Sequence, residues 1–495
     1  MGIVRDQSIK NSIYIYIGLF FGAISTIILY PNAFNSHPEH LGLLQILIAY
    51  STVISTFSFL GAPKTIIRFF PRFENKNELI TLAFLIPIIG FLLVLFSYFL
   101  FKDIFLNLIN ADELLTKYFH LVFFMLFFLS FFEVFSALSR SLLNATIPIF
   151  LREIFLKGVA IILLFLHWFD YIDFSSFLYL YISIYLGMVI ILSYSIFKDF
   201  RYRITMRFNE INIRELLTYG AFVLVGGASS ILVSKVDMMM IAKLMDLKQV
   251  AYYTIAFFIG NVILVPARSI GSIISPLLAQ AWENNDVNKI DNIYKKSSLN
   301  QLLFGGFIFL AVWLNIDEGL SLLPDKFRGG KYVVLYISLS KLYSISTGVT
   351  SQIIINSRFY RFDLYSNIIL LGITILSNYI FIPESSPLFE YDIVGINGAA
   401  FATALSVIIF NTFKMIFVKI KIGIQPFTFQ TFKAVALIIL TYYIINIIPF
   451  SDNIFYAILL RSGLILLIFL PLMLLLHISE DINKLVVDIR KRFNI

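Results

Sequence analysis

The chain has 495 residues, 59% hydrophobic and 17% aromatic, and its 38 Lys and Arg against 30 Asp and Glu give a net charge of +8. Only 14% of residues are charged, against about 25% in ordinary soluble domains, too few to cover a soluble core of this size. There is no cysteine, which excludes disulfides, thiolate metal sites and cysteine nucleophiles.

Apolar runs long enough for a bilayer recur from end to end. In chain order they predict spans near 11–30, 41–62, 79–101, 115–139, 153–169, 175–197, 216–241, 250–274, 298–319, 332–354, 364–383, 396–418, 432–449 and 454–477. At ~1.5 Å per residue each reaches across ~30 Å of hydrocarbon, the fifth with little to spare. The first run is long and further spans follow it, so it does not read as a removable leader. Barrel strands would be shorter and would alternate in polarity. The expected fold is all-α and polytopic, with about fourteen transmembrane helices.

Basic residues orient the chain. Lys64, Arg68, Arg72 and Lys76 follow the second span, and Lys198, Arg201, Arg203, Arg207 and Arg214 follow the sixth. Lys289, Lys295 and Lys296 follow the eighth, Arg358 and Arg361 the tenth, and Lys484, Arg490, Lys491 and Arg492 form the tail. The opposite loops "YPNAFNSHPEH", "FDYID" and "PESSPLFEYD" hold no Lys or Arg, while "PDKFRGGK" (324–331) is an exception. Basic loops stay in the cytoplasm, so both termini are expected there. The positive charge is then topogenic, and no nucleic-acid partner is expected.

The segment 201–215 divides an N-terminal six-helix bundle (1–200) from a second bundle (216–421), with two further helices and a basic tail over 422–495. A weak repeat supports the division: "HLGLLQILIAY" (40–50) and "QVAYYTIAFFI" (249–259) each open a span after a short outer loop. Internal repeats with a site between them mark transporters.

Soluble chemistry is missing. There is no G-x-x-x-x-G-K-[ST] and no H-E-x-x-H. His37, His40, His120, His167 and His477 are scattered, and His37 and His40 lack the carboxylate pair a metal would want. The acids of "DYID" (170–173) sit in a short hairpin and read as solvated turn residues. No catalytic residue, metal or cofactor is expected.

Ionisable residues inside the spans are the candidate site. Lys341 falls about 3 Å from the midplane of span ten, on a face with Ser338, Ser344, Gly348 and Ser351. A charge at that depth costs at least ~2.5–3.5 kcal/mol unless it meets a polar interior. That face is either a cavity wall or part of a helix–helix hydrogen-bond network. In "SKVDMMMIAK" (234–243), Lys235 is close enough to the interface to snorkel. Asp237 is short, lies near the outer mouth and shares a face with Gly227, Ser230 and Ser234. A structural hydrogen bond and a gating role are both open for it. Residues two apart point in nearly opposite directions, so Lys235 and Asp237 do not pair locally.

Arg268 follows Pro266 in span eight, Arg461 lies toward the outside in span fourteen, and Glu133 in span four shares a stripe with Ser130, Ala137 and Arg140. Lys64 and Arg68 extend the basic surface at the cytoplasmic end of span two, or serve only as topogenic charges. The balance within the spans is positive, which suits an anionic substrate and phosphate in particular. Lys341, Arg268, Arg68, Lys64 and Arg461 are therefore the substrate-binding candidates, and Asp237, Glu133 and Lys235 the gating or coupling candidates.

Three stretches carry a resemblance. "HLGLLQILIAYSTVISTFSFLGAPKTIIRFFPRF", "VDMMMIAKLMDLKQVAYYTIAFFIGNVILVPARSIGSIISPLLAQAWEN" and "YDIVGINGAAFATALS" (391–406) are similar, in order and spacing, to the second, the seventh-to-eighth and the twelfth spans of one family. The small residues of the last stretch permit close helix contact. The chain resembles the polysaccharide-biosynthesis or O-antigen flippases of the multidrug/oligosaccharidyl-lipid/polysaccharide exporter superfamily. The resemblance implies two six-helix bundles around a central cavity, alternating access, and a polyprenyl-pyrophosphate-linked glycan moved between leaflets of a bacterial inner membrane. Arg68 and Arg268 match the family's positions best. Coupling to a proton gradient, a sodium gradient or the membrane potential is left open, as is partnership with a polysaccharide polymerase. A cation-coupled exporter of the same fold would want acidic cavity residues. An O-antigen polymerase or ligase would want large basic outer loops, and only "PDKFRGGK" fits.

Overall fold

The computed structural model describes residues 2–72, 76–110, 112–198, 205, 213–450 and 453–484. Arg201, Arg203, Arg207, Arg490, Lys491 and Arg492 lie outside the described residues, as do the side chains of Arg72 and Arg214. The regular structure among the described residues is entirely helical. The chain packs as two compact units, residues 1–254 and 255–495.

Unit 1 opens with α1 (Gly2–Ala23), which runs through a π-helical turn, Ile24–Leu29, into α2 (Tyr30–Ala33). Helix α3 (Pro38–Ser58) starts on a proline and ends where Leu60 and Gly61 adopt positive φ. The expected second span therefore stops early, and α4 (Ala62–Phe69) is a separate amphipathic helix. It buries Ala62, Thr65, Ile66 and Phe69 and exposes Lys64 and Arg68. Helix α5 (Lys76–Ile109) is long and departs from helical geometry at Phe101. Then come α6 (Glu113–Tyr118), α7 (His120–Ser141) and α8 (Thr146–Phe150). A second π turn, Leu151–Phe155, joins α8 to α9 (Leu156–Trp168). Asp173 of the "DYID" hairpin caps α10 (Phe174–Phe197) by accepting the Ser176 N–H at 3.2 Å. Hydrogen bonding from the Ser176 side chain, and then from its backbone N–H, holds the Asp173 carboxyl below its usual value. Helix α11 (Ile213–Leu244) follows, and α12 (Leu247–Asn261) begins in unit 1 and ends in unit 2. Helix α7 is central, packing on α3, α4, α5 and α10, while α11 packs on α3.

In unit 2, α13 (Val265–Glu283) restarts the chain at Pro266 after a 3₁₀ turn, and α14 (Val287–Trp313) is capped by Asp286. Next are α15 (Ile316–Ser321), α16 (Lys331–Ser346), α17 (Thr350–Asn356), α18 (Tyr360–Phe381), α19 (Gly395–Ile422), α20 (Phe429–Ile447) and α21 (Ile454–Leu475). Helix α19 packs on α16, α17 and α18. Helices α20 and α21 pack on α14 through Leu302, Leu310, Leu437, Ile445 and Ile465. The internal order of the units is alike. In unit 1, α7 and α9 pack on α10; in unit 2, α16 and α18 pack on α19.

Eleven helices among the described residues are long and apolar enough to cross a membrane, and each corresponds to a predicted span. The other three predicted spans are built differently. The fifth begins at Thr146 rather than 153, because α8, the π turn and α9 form one continuous rod. The ninth belongs to α14, whose first turns carry Lys289, Asp291, Lys295 and Lys296. The tenth, expected as one helix over 332–354, is broken between α16 and α17. Gly348 sits there at φ +63°, and a Cβ on it would lie 3.1–3.2 Å from the Ser298 backbone and side chain. A left-handed residue ends an α-helix, and glycine takes that conformation without strain.

Candidate functional site

The break at Gly348 changes the site. Ser351 no longer continues the helical face that carries Lys341, because it belongs to α17. Polar groups close the gap. The Ser298 hydroxyl donates to the Ser346 carbonyl, and Tyr294 meets Thr350 at 2.7 Å. Lys341 is half-buried on α16, with its ammonium 5.6 Å from the centroid of the Phe257 ring. Ser338, one turn away, is buried with no hydrogen-bond partner for its hydroxyl among the described residues.

Below the break lies an ion pair missed by sequence reasoning. Lys414 of α19 is 2% exposed, and its Nζ donates to Asp363 Oδ1 at 2.5 Å and to Ser351 Oγ at 3.1 Å. Asn367 donates to the other Asp363 oxygen at 3.1 Å. The Lys414 ammonium also stands 4.2 Å from the Phe410 ring centroid. Every strong group here is satisfied, as burial requires.

The remaining unit 2 candidates separate. Arg461 Nη1 donates to the Leu314 carbonyl at 2.5 Å and to Glu318 at 2.8 Å, and its guanidinium lies 4.5 Å from the Phe450 ring centroid. These bonds tie α21 to the turn after α14. The hydrogen bond from Arg461 holds the Glu318 carboxyl below its usual value. Arg268 lies on α13, but its side chain falls outside the described residues.

In unit 1, Asp237 is 6% exposed and accepts a hydrogen bond from Tyr253 at 2.8 Å. Tyr253 is fully buried on α12, so this bond spans the α11–α12 hairpin. Lys235 is half-buried on α11. Lys64 and Arg68 form one exposed stripe on α4, where the Arg68 guanidinium lies 4.2 Å from the Tyr219 ring centroid.

Glu133 leads to a larger cluster. It forms an ion pair with Arg152 in the second π turn. One residue on, Glu153 pairs with Lys157 at 2.6 Å, and Lys157 also donates to the Gly18 carbonyl of α1 at 2.8 Å. A Cβ at Gly18 would lie 2.5 Å from Glu153 Oε2, so α1 reaches this pair only because residue 18 has no side chain. The rod from Thr146 to Trp168 has its centre at Lys157, and Glu133 lies about 4 Å from the centre of α7. Two carboxylates and two cations thus share mid-membrane depth. The Arg152 side chain remains 50% exposed. A charge facing lipid at that depth costs at least ~2.5–3.5 kcal/mol, and the pairing with Glu133 offsets part of that cost. A row of buried, hydrogen-bonded tyrosines, Tyr30, Tyr181 and Tyr185, extends from the cluster toward α2. Glu133 inside its span and the Glu153–Lys157 spacing of four were the sequence signals for it.

The histidines have ordinary surroundings. His40 stacks on Phe174 with centroids 3.7 Å apart, and His37 meets Glu39 at 3.2 Å. In "PDKFRGGK", Arg328 pairs with Asp325 and Lys331 with Asp317, each at 2.6 Å.

Comparison with known proteins agrees with this architecture. The fold is similar to an inward-facing multidrug-resistance MATE family transporter of the MOP superfamily, with a TM-score of 0.64 and 16% identity over 82% of this chain and 98% of that one. It is similar to the lipid II flippase MurJ in an inward closed conformation, with a TM-score of 0.63 and 18% identity over 94% and 97%. A MATE protein in a bent conformation superposes with a TM-score of 0.53 at 16% identity over 85% and 95%. These identities establish the fold alone. No curated protein matches the sequence. The MatE family model matches residues 223–380, and the model described as "Polysaccharide biosynthesis protein" matches residues 8–282, more than half of the chain. With its helical, multi-pass architecture, the chain belongs to the polysaccharide biosynthesis protein family, on the fold of the MOP superfamily transporters.

Proposed function

We propose that this protein is a flippase that moves a lipid-pyrophosphate-linked oligosaccharide, a repeat unit of O-antigen, capsule or exopolysaccharide, across the cytoplasmic membrane by alternating access. The observation that carries this is the partly exposed Arg152, paired with Glu133 toward the middle of the helices, in a chain of a polysaccharide biosynthesis family. A cation at that depth attracts an anion the bilayer excludes. Lys341 and Arg268 are the proposed pyrophosphate contacts in unit 2. Lys64 and Arg68 are proposed to meet the cargo from the basic end of α4, and Asp237 to help close the outer mouth through its bond to Tyr253. Arg461 has its guanidinium engaged with Glu318 and is the weakest of the proposed contacts. The proposed repeats are 1–200 and 216–421, with 201–215 as linker and 422–495 appended. Both termini are proposed to be cytoplasmic in a bacterial inner membrane, with a polysaccharide polymerase as the downstream partner.

Glu133 and Glu153 favour one second reading, a cation-coupled exporter, since carboxylates at this depth suit cationic solutes or protons. The test is complementation of a strain lacking its native flippase. Lys341→Gln with Arg268→Gln should lose surface polysaccharide at normal protein level. Full complementation by the double variant would leave both residues as packing partners and favour the exporter.

A further inference from the structure

At the basic end of unit 2, three segments meet around a cavity of about 600 Å³: the end of α13, the α17–α18 turn and the end of α19. Trp282, Arg358, Phe359 and Lys421 line it. The Trp282 indole Nε1 is buried and has no hydrogen-bond partner among the described residues. An indole N–H can only donate, so whatever satisfies it must be an acceptor. Arg358 and Lys421 are exposed, and neither has a carboxylate partner among the described residues. The Arg358 guanidinium lies 4.9 Å from the Phe359 ring centroid, and Phe359 is itself set edge-on against Phe417 at 5.6 Å. The guanidinium is therefore held at the mouth rather than left free. One acid, Glu283, also lines the cavity and is exposed, so the lining keeps a positive balance.

We propose that this cavity binds the phosphate of a lipid headgroup. Phosphate supplies the acceptor that Trp282 lacks, and its oxygens match the guanidinium fork of Arg358. Basic pockets between transmembrane helices at the cytoplasmic surface take anionic headgroups in this way, and tryptophan is at home at that depth. Two lipids present the same group there: an anionic glycerophospholipid and a polyprenyl pyrophosphate. Only with the second does the site depend on the transport reading, as a place where cargo is captured before translocation.

The test uses the full chain in phosphatidylcholine nanodiscs. Binding of phosphatidylglycerol and of a polyprenyl pyrophosphate is measured by native mass spectrometry. Arg358→Gln with Lys421→Gln should weaken headgroup binding about tenfold or more, since it removes two charge-assisted bonds. Both side chains are exposed, so the double variant should fold. Trp282→Phe keeps a ring but removes the donor, and should weaken binding severalfold. Equal weakening for both lipids assigns the site to headgroups in general; weakening for the pyrophosphate alone assigns it to captured cargo. If phosphatidylglycerol binding depends on these residues but no glycan is transported, the site stands and the flippase reading fails. Unchanged affinity for both lipids in both variants overturns the site.

Discussion

Replacing Lys414 by Met tests the buried charge pair under the break in α16. The ammonium is 2% exposed and bonds Asp363 at 2.5 Å and Ser351 at 3.1 Å. Without it, the Asp363 carboxylate keeps only the Asn367 amide. Removing one partner of a buried pair costs about 3–5 kcal/mol, because the other charge stays in a low-dielectric site. Removing both should be far milder. Asp363→Leu with Lys414→Met leaves Asn367 and Ser351 short of a partner but no net buried charge, so most of the loss should return, to within about 1–3 kcal/mol of the parent. Fluorescence-detected size exclusion after heating in detergent reads both. The single variant should aggregate several degrees lower and the double close to the parent. A Lys414→Met protein as stable as the parent, or a double no better than the single, would refute the assignment of a desolvated pair.

Four further outcomes follow from the geometry. Gly18→Val should displace Glu153 and Lys157 from α1 and lower thermal stability, whereas Gly227→Val, where an added Cβ meets nothing within 4 Å, should change it little. The Glu318 pKa is depressed in the fold from its ordinary value of 4.5, so its pairing with Arg461 stabilises above that pH and is lost as pH falls through the lower folded value. Melting temperature should therefore drop below about pH 4.5, and Glu318→Gln should shrink that drop when the two melting curves are compared across pH. Asp237→Asn should alter transport kinetics without blocking membrane insertion; kinetics identical to the parent would leave only a structural bond to Tyr253. Reporter fusions at 35, 205 and 390 should report outside, cytoplasm and outside, and any reversal breaks the topology.

The helices were the most legible part of the sequence, because a long apolar run is an unambiguous local signal in a bilayer protein. The break at Gly348 was not, since a glycine between serines and a threonine in an apolar stretch looks like any small-residue helix; its φ is set by packing on Ser298, 50 residues away. The midplane cluster was half visible. Glu133 stood out within its span, but starting the fifth span at 153 placed Glu153 and Lys157 at a membrane edge. Thr146 and Pro148 made a helix start that the apolar run did not reveal. Lys414 and Asp363 lie 51 residues apart, and no periodicity links them. Arg461 illustrates the opposite error of weight. It counted toward a positive interior, yet Glu318, 143 residues earlier, pairs with it.

Reconstituted flipping tests the central claim most directly. The purified protein is placed in liposomes with a fluorescent polyprenyl-pyrophosphate oligosaccharide, and a membrane-impermeant quencher reports how fast the label crosses between leaflets. The account predicts rapid crossing with the parent protein. It also predicts strong slowing in a folded variant carrying Arg152→Gln and Lys341→Gln, with uncharged lipid-linked sugars moving poorly in both. Crossing no faster than in protein-free liposomes, or equal rates in the parent and the variant, would contradict it.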